Sequence, residues 1–250
     1  MDSIMKFIKS FFLMEIRNKQ AVITGTFLPI LMLILMGTAG SSESREGMSY
    51  MTYILPGILG MSYASTGLIA FPIMLSSYRE NGFLKFIKVT PVKISKIVFS
   101  LIITQIILMF FQTLLVLFFC NYILKLGLKY SFPNIIWLFM ILLLSSISLA
   151  SIGLIISILS KNVKNTSVFG NLGNLLSTFL GGAFFPTDVW PTFLQPLVKV
   201  NPLTHMIAML RSSLIYSDFV LSDIWDYTFY LVLMIVVCFV ISFRYFTYEV

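Results

Sequence analysis

Six long stretches without a charged residue constrain the fold more than any other feature of the sequence. They cover residues 21–39, 50–77, 97–124, 134–160, 165–187 and 227–243. A helix that crosses a bilayer needs about 20 mostly apolar residues, and each stretch is close to or above that length. The stretch 97–124 exceeds it, so we expect that helix to tilt or to project beyond the hydrocarbon core. The sequence therefore predicts six transmembrane helices.

Composition excludes the soluble alternatives. Charged residues make up 11% of the 250 residues and hydrophobic residues 58%, whereas about a quarter of an ordinary soluble domain is charged. This argues against a cytosolic enzyme, a nucleic-acid-binding protein or a disordered chain. Cys120 and Cys238 both lie in apolar stretches and are expected to be buried, without a disulfide or a metal. We predict an all-α polytopic membrane protein whose residues 1–250 form a single domain.

The basic residues predict the orientation. Twelve of the 17 Lys and Arg residues precede the first stretch, follow the last, or lie between the second and third or the fourth and fifth. They are Lys6, Lys9, Arg17, Lys19, Arg79, Lys85, Lys88, Lys93, Lys96, Lys161, Lys164 and Arg244. Basic residues concentrate in cytoplasmic loops. Both termini are therefore expected in the cytoplasm of a prokaryotic cell, with the chain in the plasma membrane.

The first 20 residues have a helical pattern of their own. One face carries Ile4, Met5, Ile8, Phe11, Phe12 and Ile16, and the opposite face carries Asp2, Lys6, Lys9 and Arg17. Glu15 interrupts the apolar face. The pattern favours an interfacial helix over residues 1–20, the alternative being a loosely ordered terminus. A cleaved signal peptide is disfavoured, since 20 residues precede the apolar run and Pro29 lies inside it.

The sequence lacks the residue patterns of an enzyme or an ion-coupled pump. The first five stretches contain no Asp, Glu, Lys, Arg or His, and ionisable residues at membrane depth usually mark ion or proton pathways. No GxxxxGK[ST] motif is present to bind ATP phosphates. The single His205 has no second imidazole with which to share a metal. We expect neither catalytic residues nor a cofactor in this chain.

Polar and small residues inside the stretches have two interpretations. Gln105 and Gln112 share one helix face, and so do Asn171 and Asn174. Each pair can join helices or line a substrate path, and joining helices is the more common use. Gly173, Ser177 and Gly181 repeat every four residues, as do Gly60 and Ala64, a spacing that lets helix backbones approach closely.

Two loops carry more specific patterns. After the second stretch, a short helix through Lys88 would present aromatic residues beside lysines and would end at Thr90-Pro91, as a docking element does; a solvated loop is the alternative. After the fifth stretch, prolines interrupt a largely apolar segment. Two short helices that re-enter the membrane from outside fit that segment best.

These loops, in this order, are similar to those of the ABC-2 type membrane subunits of ABC exporters. Arg79-Glu80-Asn81-Gly82 with Thr90-Pro91 resembles the family's cytoplasmic signature. The resemblance implies a coupling helix over Arg79 to Lys88 that contacts the ATPase. The predicted coupling residues are Arg79, Glu80, Asn81, Gly82, Phe83, Lys85, Phe86, Ile87, Thr90 and Pro91. The predicted external re-entrant hairpin contains Phe185, Pro186, Trp190, Pro191, Asn201 and Pro202.

The resemblance also implies partners and a substrate path. Two ABC ATPase subunits, which bind ATP and Mg, would pair with this chain and a second permease chain, identical or different. Spans two and five would face the path, with Met61, Tyr63, Asn171 and Asn174 as candidate path residues. A hydrophobic or amphipathic substrate (a drug, an antibiotic, a peptide or a lipid-linked molecule) would be exported. Sodium export, an immunity or assembly protein that transports nothing, and a lipid-modifying enzyme are the alternatives.

Overall fold

The structure consists of helices and the turns between them. The computed structural model describes residues 2–18, 23–39, 50–83, 94–126, 132–215 and 221–245, and none of these residues forms a strand. The α-helices are α1 (Asp2–Arg17), α2 (Leu28–Ala39), α3 (Tyr50–Ala64), α4 (Phe71–Glu80), α5 (Ile94–Phe118), α6 (Phe132–Leu159), α7 (Val163–Leu180), α8 (Gln195–Val200), α9 (Pro202–Leu214) and α10 (Leu221–Tyr245). This agrees with the predicted all-α membrane protein.

Three π-helical segments extend these helices. Ile23–Phe27 leads into α2, Ser65–Ala70 joins α3 to α4, and Phe119–Ile123 continues α5. Pro72 accounts for the second segment, because proline has no N–H to donate and its ring clashes with the preceding turn. The helix opens into a wider turn just before it, and Tyr50–Glu80 remains one continuous helix.

Within the part of the chain that the structure describes, four helices are long and apolar enough to cross a membrane. They are Tyr50–Glu80, Lys96–Ile123, Ile135–Leu159 and Trp225–Ser242. They correspond to the second, third, fourth and sixth predicted spans. A chain with four such helices is a multi-pass membrane protein by length and composition.

The first and fifth predicted spans are not among these four helices. Within the described residues, the apolar helix of the first runs only from Gly25 to Thr38. The fifth was predicted over 165–187, but α7 ends at Leu180. Gly182 follows with φ +79°, a left-handed conformation that ends helices. The amides and hydroxyls of α7 make it too polar to count among the four.

Helix α6 lies at the centre of the bundle. It contacts α3, α4, α5, α7, α9 and α10. The main apolar core contains Leu55, Leu59, Tyr63, Leu149, Met206 and Leu210. A second cluster near α1 contains Phe11, Phe71, Leu75, Ile97 and Leu101. Since lipid is as apolar as these side chains, tight packing and hydrogen bonds hold such a bundle together.

Close helix approach occurs at some of the predicted small residues and at others that were not predicted. A Cβ on the predicted Gly60 of α3 would lie 2.8 Å from a side-chain carbon of Ile207 on α9. A Cβ on Gly153 of α6 would overlap the carbonyl oxygen of Gly67, and a Cβ on Gly170 of α7 would overlap that of Leu68. A Cβ on Gly173 would meet only a side-chain carbon of Ile156, at 3.8 Å. The prediction that Gly173 mediates the close approach is therefore wrong, and the neighbouring Gly170 mediates it. Gly181, from the same predicted repeat, is in close contact, since a Cβ there would lie 3.1 Å from the Asn201 amide nitrogen.

Helix α1 forms as predicted and packs along α5. Phe11 is 4% exposed, whereas Met5 is 65% exposed. The predicted apolar face is thus divided, with one part packed against the protein and another part outside it.

Candidate functional site

The end of α4 carries the predicted coupling motif, and Arg79 is buried there at 5% exposure. Its guanidinium donates hydrogen bonds to the carbonyl oxygens of Ser157 and Ser160 at the end of α6. The last carbonyls of a helix have no partner within the helix, and a cation is favourable beside them. Arg79 thus fixes the end of α4 to the end of α6.

Hydroxyl groups connect a third helix to the same place. Ser76 of α4 lies 3.0 Å from the Ser157 hydroxyl and 2.8 Å from the Thr166 hydroxyl of α7. All three side chains are buried, at 1% exposure or less. Buried hydroxyls that satisfy one another specify a single arrangement, so α4, α6 and α7 are joined at one end.

Glu80 makes the complementary contact on α7. Its Oε1 accepts a hydrogen bond from the Val163 N–H at 2.6 Å, and Asn162 accepts one from the Asn165 N–H at 2.7 Å. A carboxylate is stabilised beside the free N–H groups at a helix N-terminus. Adjacent residues, Arg79 and Glu80, therefore bind the end of one helix and the beginning of the next. We call this arrangement the Arg79–Glu80 clamp.

The residues after the clamp form a turn. Asn81 donates to the Ser77 hydroxyl at 3.2 Å, and the Gly82 N–H donates to the Arg79 carbonyl at 3.1 Å. Gly82 has φ +71°, which favours glycine. Arg79 and Glu80 thus belong to α4 itself, where the sequence predicted them within a separate coupling helix. The predicted coupling residues Lys85, Phe86, Ile87, Thr90 and Pro91 lie outside the described residues.

Phe83 begins an aromatic chain that leads to α1. Its ring centroid lies 5.1 Å from that of Tyr78, and Tyr78 lies 5.9 Å from Phe11. Phe11 in turn stacks on Phe7 at 6.2 Å. Offset aromatic pairs at these distances attract each other, so Tyr78 of α4 connects the turn after that helix to the N-terminal helix.

The four candidate path residues occupy different surroundings. Tyr63 is 1% exposed and accepts a hydrogen bond from Thr113 at 3.1 Å within the apolar core. Asn171 is exposed on α7, where its amide donates to the Ser167 carbonyl at 2.7 Å. Asn174 is half-buried, and its Oδ1 has no hydrogen bond among the described residues. Met61 is half-buried on α3. A path role for these residues stays a prediction.

The far end of the bundle holds the predicted proline-rich element as short helices. Asn201 ends α8 and caps α9 by accepting from the Leu203 N–H at 3.1 Å, and it donates to the Ser177 carbonyl of α7 at 2.8 Å. Pro202 occupies the first turn of α9, where its missing N–H costs nothing. Asn201-Pro202 therefore both separates the two helices and ties them to α7.

The turn between α7 and α8 is fixed by side chains on both sides. Arg211 donates to the Gly182 carbonyl at 2.8 Å and lies 4.8 Å from the centre of the Tyr53 ring. Gln195 donates to the carbonyls of Thr187 and Trp190. Of the other predicted residues of this element, Phe185 and Pro191 are exposed, and Pro186 and Trp190 are half-buried.

His205 lies on α9, at the same end of the bundle, where it packs against α10. Its ring lies 4.2 Å from Tyr230, and its Nε2 hydrogen-bonds the Lys199 carbonyl at 2.8 Å. Burial lowers the pKa of its imidazole and the hydrogen bond partly offsets this. Among the described residues, no group of three His, Cys, Asp or Glu side chains is arranged to bind a metal.

Sequence reasoning missed the junction of α6 and α7 as part of the coupling site. Ser157, Ser160, Asn162 and Val163 supply the atoms that the clamp binds. A weak signal was present, since Asn162 lies in a polar break between two apolar stretches, where a helix N-cap is expected.

Comparison with known proteins places most of the chain in one family. A family model described as "ABC-2 type transporter" matches residues 4–215. A protein of Cyanophora paradoxa with the name "Putative transport permease ycf38" is 28% identical over 223 residues, covering 86% of this chain and 75% of that protein. The family match runs from α1 through α9 and contains both the clamp and the Asn201-Pro202 break.

Proposed function

Because the chain belongs to the ABC-2 type transporter family and is therefore a transporter membrane subunit, we propose that it is the permease of an ATP-driven exporter. Family members generally work with an ABC ATPase subunit. Two copies of that ATPase, binding ATP and Mg, would supply the energy. The substrate class we propose is a hydrophobic or amphipathic molecule moved out of the cell. No described span places an ionised side chain deep in the apolar region for a bare ion, which favours this class over sodium.

The Arg79–Glu80 clamp supports this proposal more than any other observation. The ATPase would contact the segment that follows Gly82 and push or pull on α4. Through its clamp contacts, α4 is bound to the end of α6 and the beginning of α7. Displacement of α4 would then carry the other two helices with it, because the Ser76 and Arg79 hydrogen bonds are buried and the Glu80 hydrogen bond to Val163 is short, at 2.6 Å. This converts a motion at one surface into a rearrangement of three helices.

The proposed topology has six spans and both termini in the cytoplasm. The four long apolar helices would supply four of these spans. The helix from Gly25 to Thr38 and α7 would be the other two. The clamp would face the cytoplasm, and α8 and α9 would lie at the outer surface of the plasma membrane as the re-entrant hairpin. Helix α1 would lie on the inner leaflet, with exposed apolar residues such as Met5 in contact with lipid.

The proposed function is tested with Glu80→Ala and Glu80→Gln in a complex of the permease and its ATPase. In proteoliposomes, ATP-driven export of a membrane-partitioning fluorescent dye is measured beside ATP hydrolysis. Glu80 is exposed, and an exposed carboxylate at a helix N-terminus contributes about 0.3–1 kcal/mol, so Glu80→Ala should reduce export about two- to fivefold. Glu80→Gln retains an acceptor oxygen, so its export rate should lie between those of the unmodified chain and Glu80→Ala.

Asp188→Ala is the matched control, since it removes an exposed carboxylate at the opposite end of the bundle. It should leave export unchanged. Normal export by Glu80→Ala in an intact complex would contradict the coupling role. A chain that binds no ATPase and exports nothing would instead support the alternative of a membrane immunity or assembly protein.

A further inference from the structure

A cavity of about 210 Å³ opens beside the C-terminal end of α1. It lies between α1, the two π-helical segments Ile23–Phe27 and Ser65–Ala70, and α5. π-Helical turns inside α-helices occur frequently at functional sites, and two of them border this one cavity. It is separate from the Arg79–Glu80 clamp and from the candidate path residues.

One side of the cavity combines polar and apolar side chains in a regular stripe. Gln105, Leu108, Gln112 and Leu115 lie three or four residues apart on α5 and all line it. Residues with this spacing share one helix face. The cavity wall therefore alternates amide groups with aliphatic surface along the length of the helix.

Of the two amides, that of Gln112 contributes to helix packing, whereas that of Gln105 has no strong partner among the residues that the structure describes. Gln105 is 2% exposed, and within the described part of the chain its amide nitrogen contacts only the Met74 sulfur, at 3.8 Å. Thioether sulfur is a weak acceptor. The Gln112 Oε1 accepts from Thr66 at 3.4 Å, and the Gln112 side chain fits against Gly25, where a Cβ would overlap it. Within the described residues no hydrogen bond engages the Gln105 Oε1 either. A buried amide without a good partner is costly, so this oxygen is available to accept a hydrogen bond from a ligand.

Glu15 lines the same cavity. It is the acidic residue that interrupts the apolar face of α1. No hydrogen bond or salt bridge within the described residues engages its carboxylate, and burial raises the pKa of that group. A cation placed beside it would compensate the lost hydration and favour the ionised form.

We propose that this cavity is a binding site for an amphipathic cation that carries an ammonium group on an apolar chain. The ammonium donates to the Glu15 carboxylate and to the Gln105 amide oxygen, since it has three N–H donors. The apolar chain lies along Leu108 and Leu115 on α5. The inference concerns binding and does not depend on export, so it can hold or fail independently of the proposed function.

The test is a binding measurement with the full chain in phosphatidylcholine nanodiscs near neutral pH, using empty nanodiscs as the blank. The probes are two twelve-carbon chains that carry dansyl at one end. The other end is a free primary amine in one probe and a hydroxyl group in the other, so the two differ in the charged group. We expect the amine to bind about tenfold more tightly than the alcohol, the ratio typical of one charge-assisted hydrogen bond. Glu15→Gln should remove this preference, and Gln105→Met, which keeps the side-chain volume, should weaken binding of both probes.

Asp226→Asn is the control, because it removes an exposed carboxylate on α10 far from the cavity in sequence; it should bind both probes like the unmodified chain. Glu15→Asp keeps the charge and should retain the preference, which separates loss of charge from loss of folding. Equal binding of amine and alcohol, or an unchanged preference in Glu15→Gln, overturns the proposal.

A repeat in phosphatidylethanolamine nanodiscs identifies the source of the ammonium group. Amine binding that is lost there identifies the lipid headgroup as the occupant, and binding that persists identifies a guest molecule. Either result supports an ammonium site.

Discussion

Gly170 lies where the backbone of α7 touches the π-helical segment Ser65–Ala70. An alanine Cβ there would overlap the Leu68 carbonyl oxygen and lie 3.3 Å from the Ile69 Cα, and neither backbone atom can rotate away. Overpacking of this kind costs about 1–3 kcal/mol, against up to about 1 kcal/mol that alanine gains over glycine in a helix. Gly170→Ala should therefore lower the thermal unfolding midpoint of the protein in detergent.

Gly173→Ala is the matched control one turn further along α7. Its Cβ would make only an ordinary 3.8 Å contact with Ile156, so the gain in helix propensity should leave the midpoint equal or slightly higher. If both variants unfold at the same temperature, α7 does not approach the second span as closely as described.

The comparison of these two glycines explains which residue-level predictions succeeded. The sequence shows where small residues recur, and their four-residue spacing indicates a packed helix face. It does not show which of two neighbouring faces meets another helix, because lipid and helix contacts are equally apolar. Arg79 was recognised from its motif, whereas its bond to the Ser160 carbonyl depends on how α4 and α6 pack.

At the scale of elements, the turn after α4 depends on the backbone conformation of Gly82. Gly82 has φ +71°, and its N–H donates to the Arg79 carbonyl. Proline has no N–H and fixes φ near −65°, so Gly82→Pro should redirect the segment that follows and weaken ATPase association or export. Co-purification with the ATPase and dye export measure the two effects.

Gly82→Asn is the conservative variant, since asparagine tolerates the left-handed region better than other residues. No atom lies within 4 Å of a Cβ at this position, so the side chain has room. This variant should retain association and most of the export. Loss of function in Gly82→Asn equal to that in Gly82→Pro would indicate that glycine is required for a reason other than its backbone conformation.

Long helices made almost entirely of apolar residues were predicted well. The helix that mixes apolar residues with amides and hydroxyls was not. Four of the six predicted spans match long apolar helices, because length and hydropathy alone define such helices. Helix α7 carries many amides and hydroxyls, and it ends at the Gly181-Gly182 turn before the predicted boundary. The prolines after α7 were sufficient to predict the short helices that follow it. The hydrogen bond from Asn201 to the Ser177 carbonyl joins residues far apart in the sequence, so no local pattern predicts it.

At the scale of the whole molecule, two exposed helix faces differ in chemistry. The exposed face of α10 is apolar over residues 229–241 and includes Val232, Leu233, Val236, Val237, Val240 and Ile241. That of α7 has apolar residues of similar exposure, Val168, Phe169, Leu172, Leu175, Leu176 and Phe179, and also the exposed amide of Asn171. An amide facing lipid is unfavourable, whereas an amide between helices forms hydrogen bonds. We therefore expect lipid against the α10 face, and we predict that a second permease chain, if it pairs with this one, contacts the α7 face.

Cysteine cross-linking tests this assignment. After replacement of the buried Cys120 and Cys238 by alanine, Leu172→Cys should give a cross-linked dimer in native membranes with a short bismaleimide reagent. Val236→Cys, with comparable exposure, should remain monomeric on the same gel, because the α10 faces of two copies would be separated by lipid. Preferential cross-linking of Val236→Cys would transfer the interface to α10. Cross-linking of Leu172→Cys only to a different co-expressed permease would keep α7 as the interface and make the transporter a heterodimer.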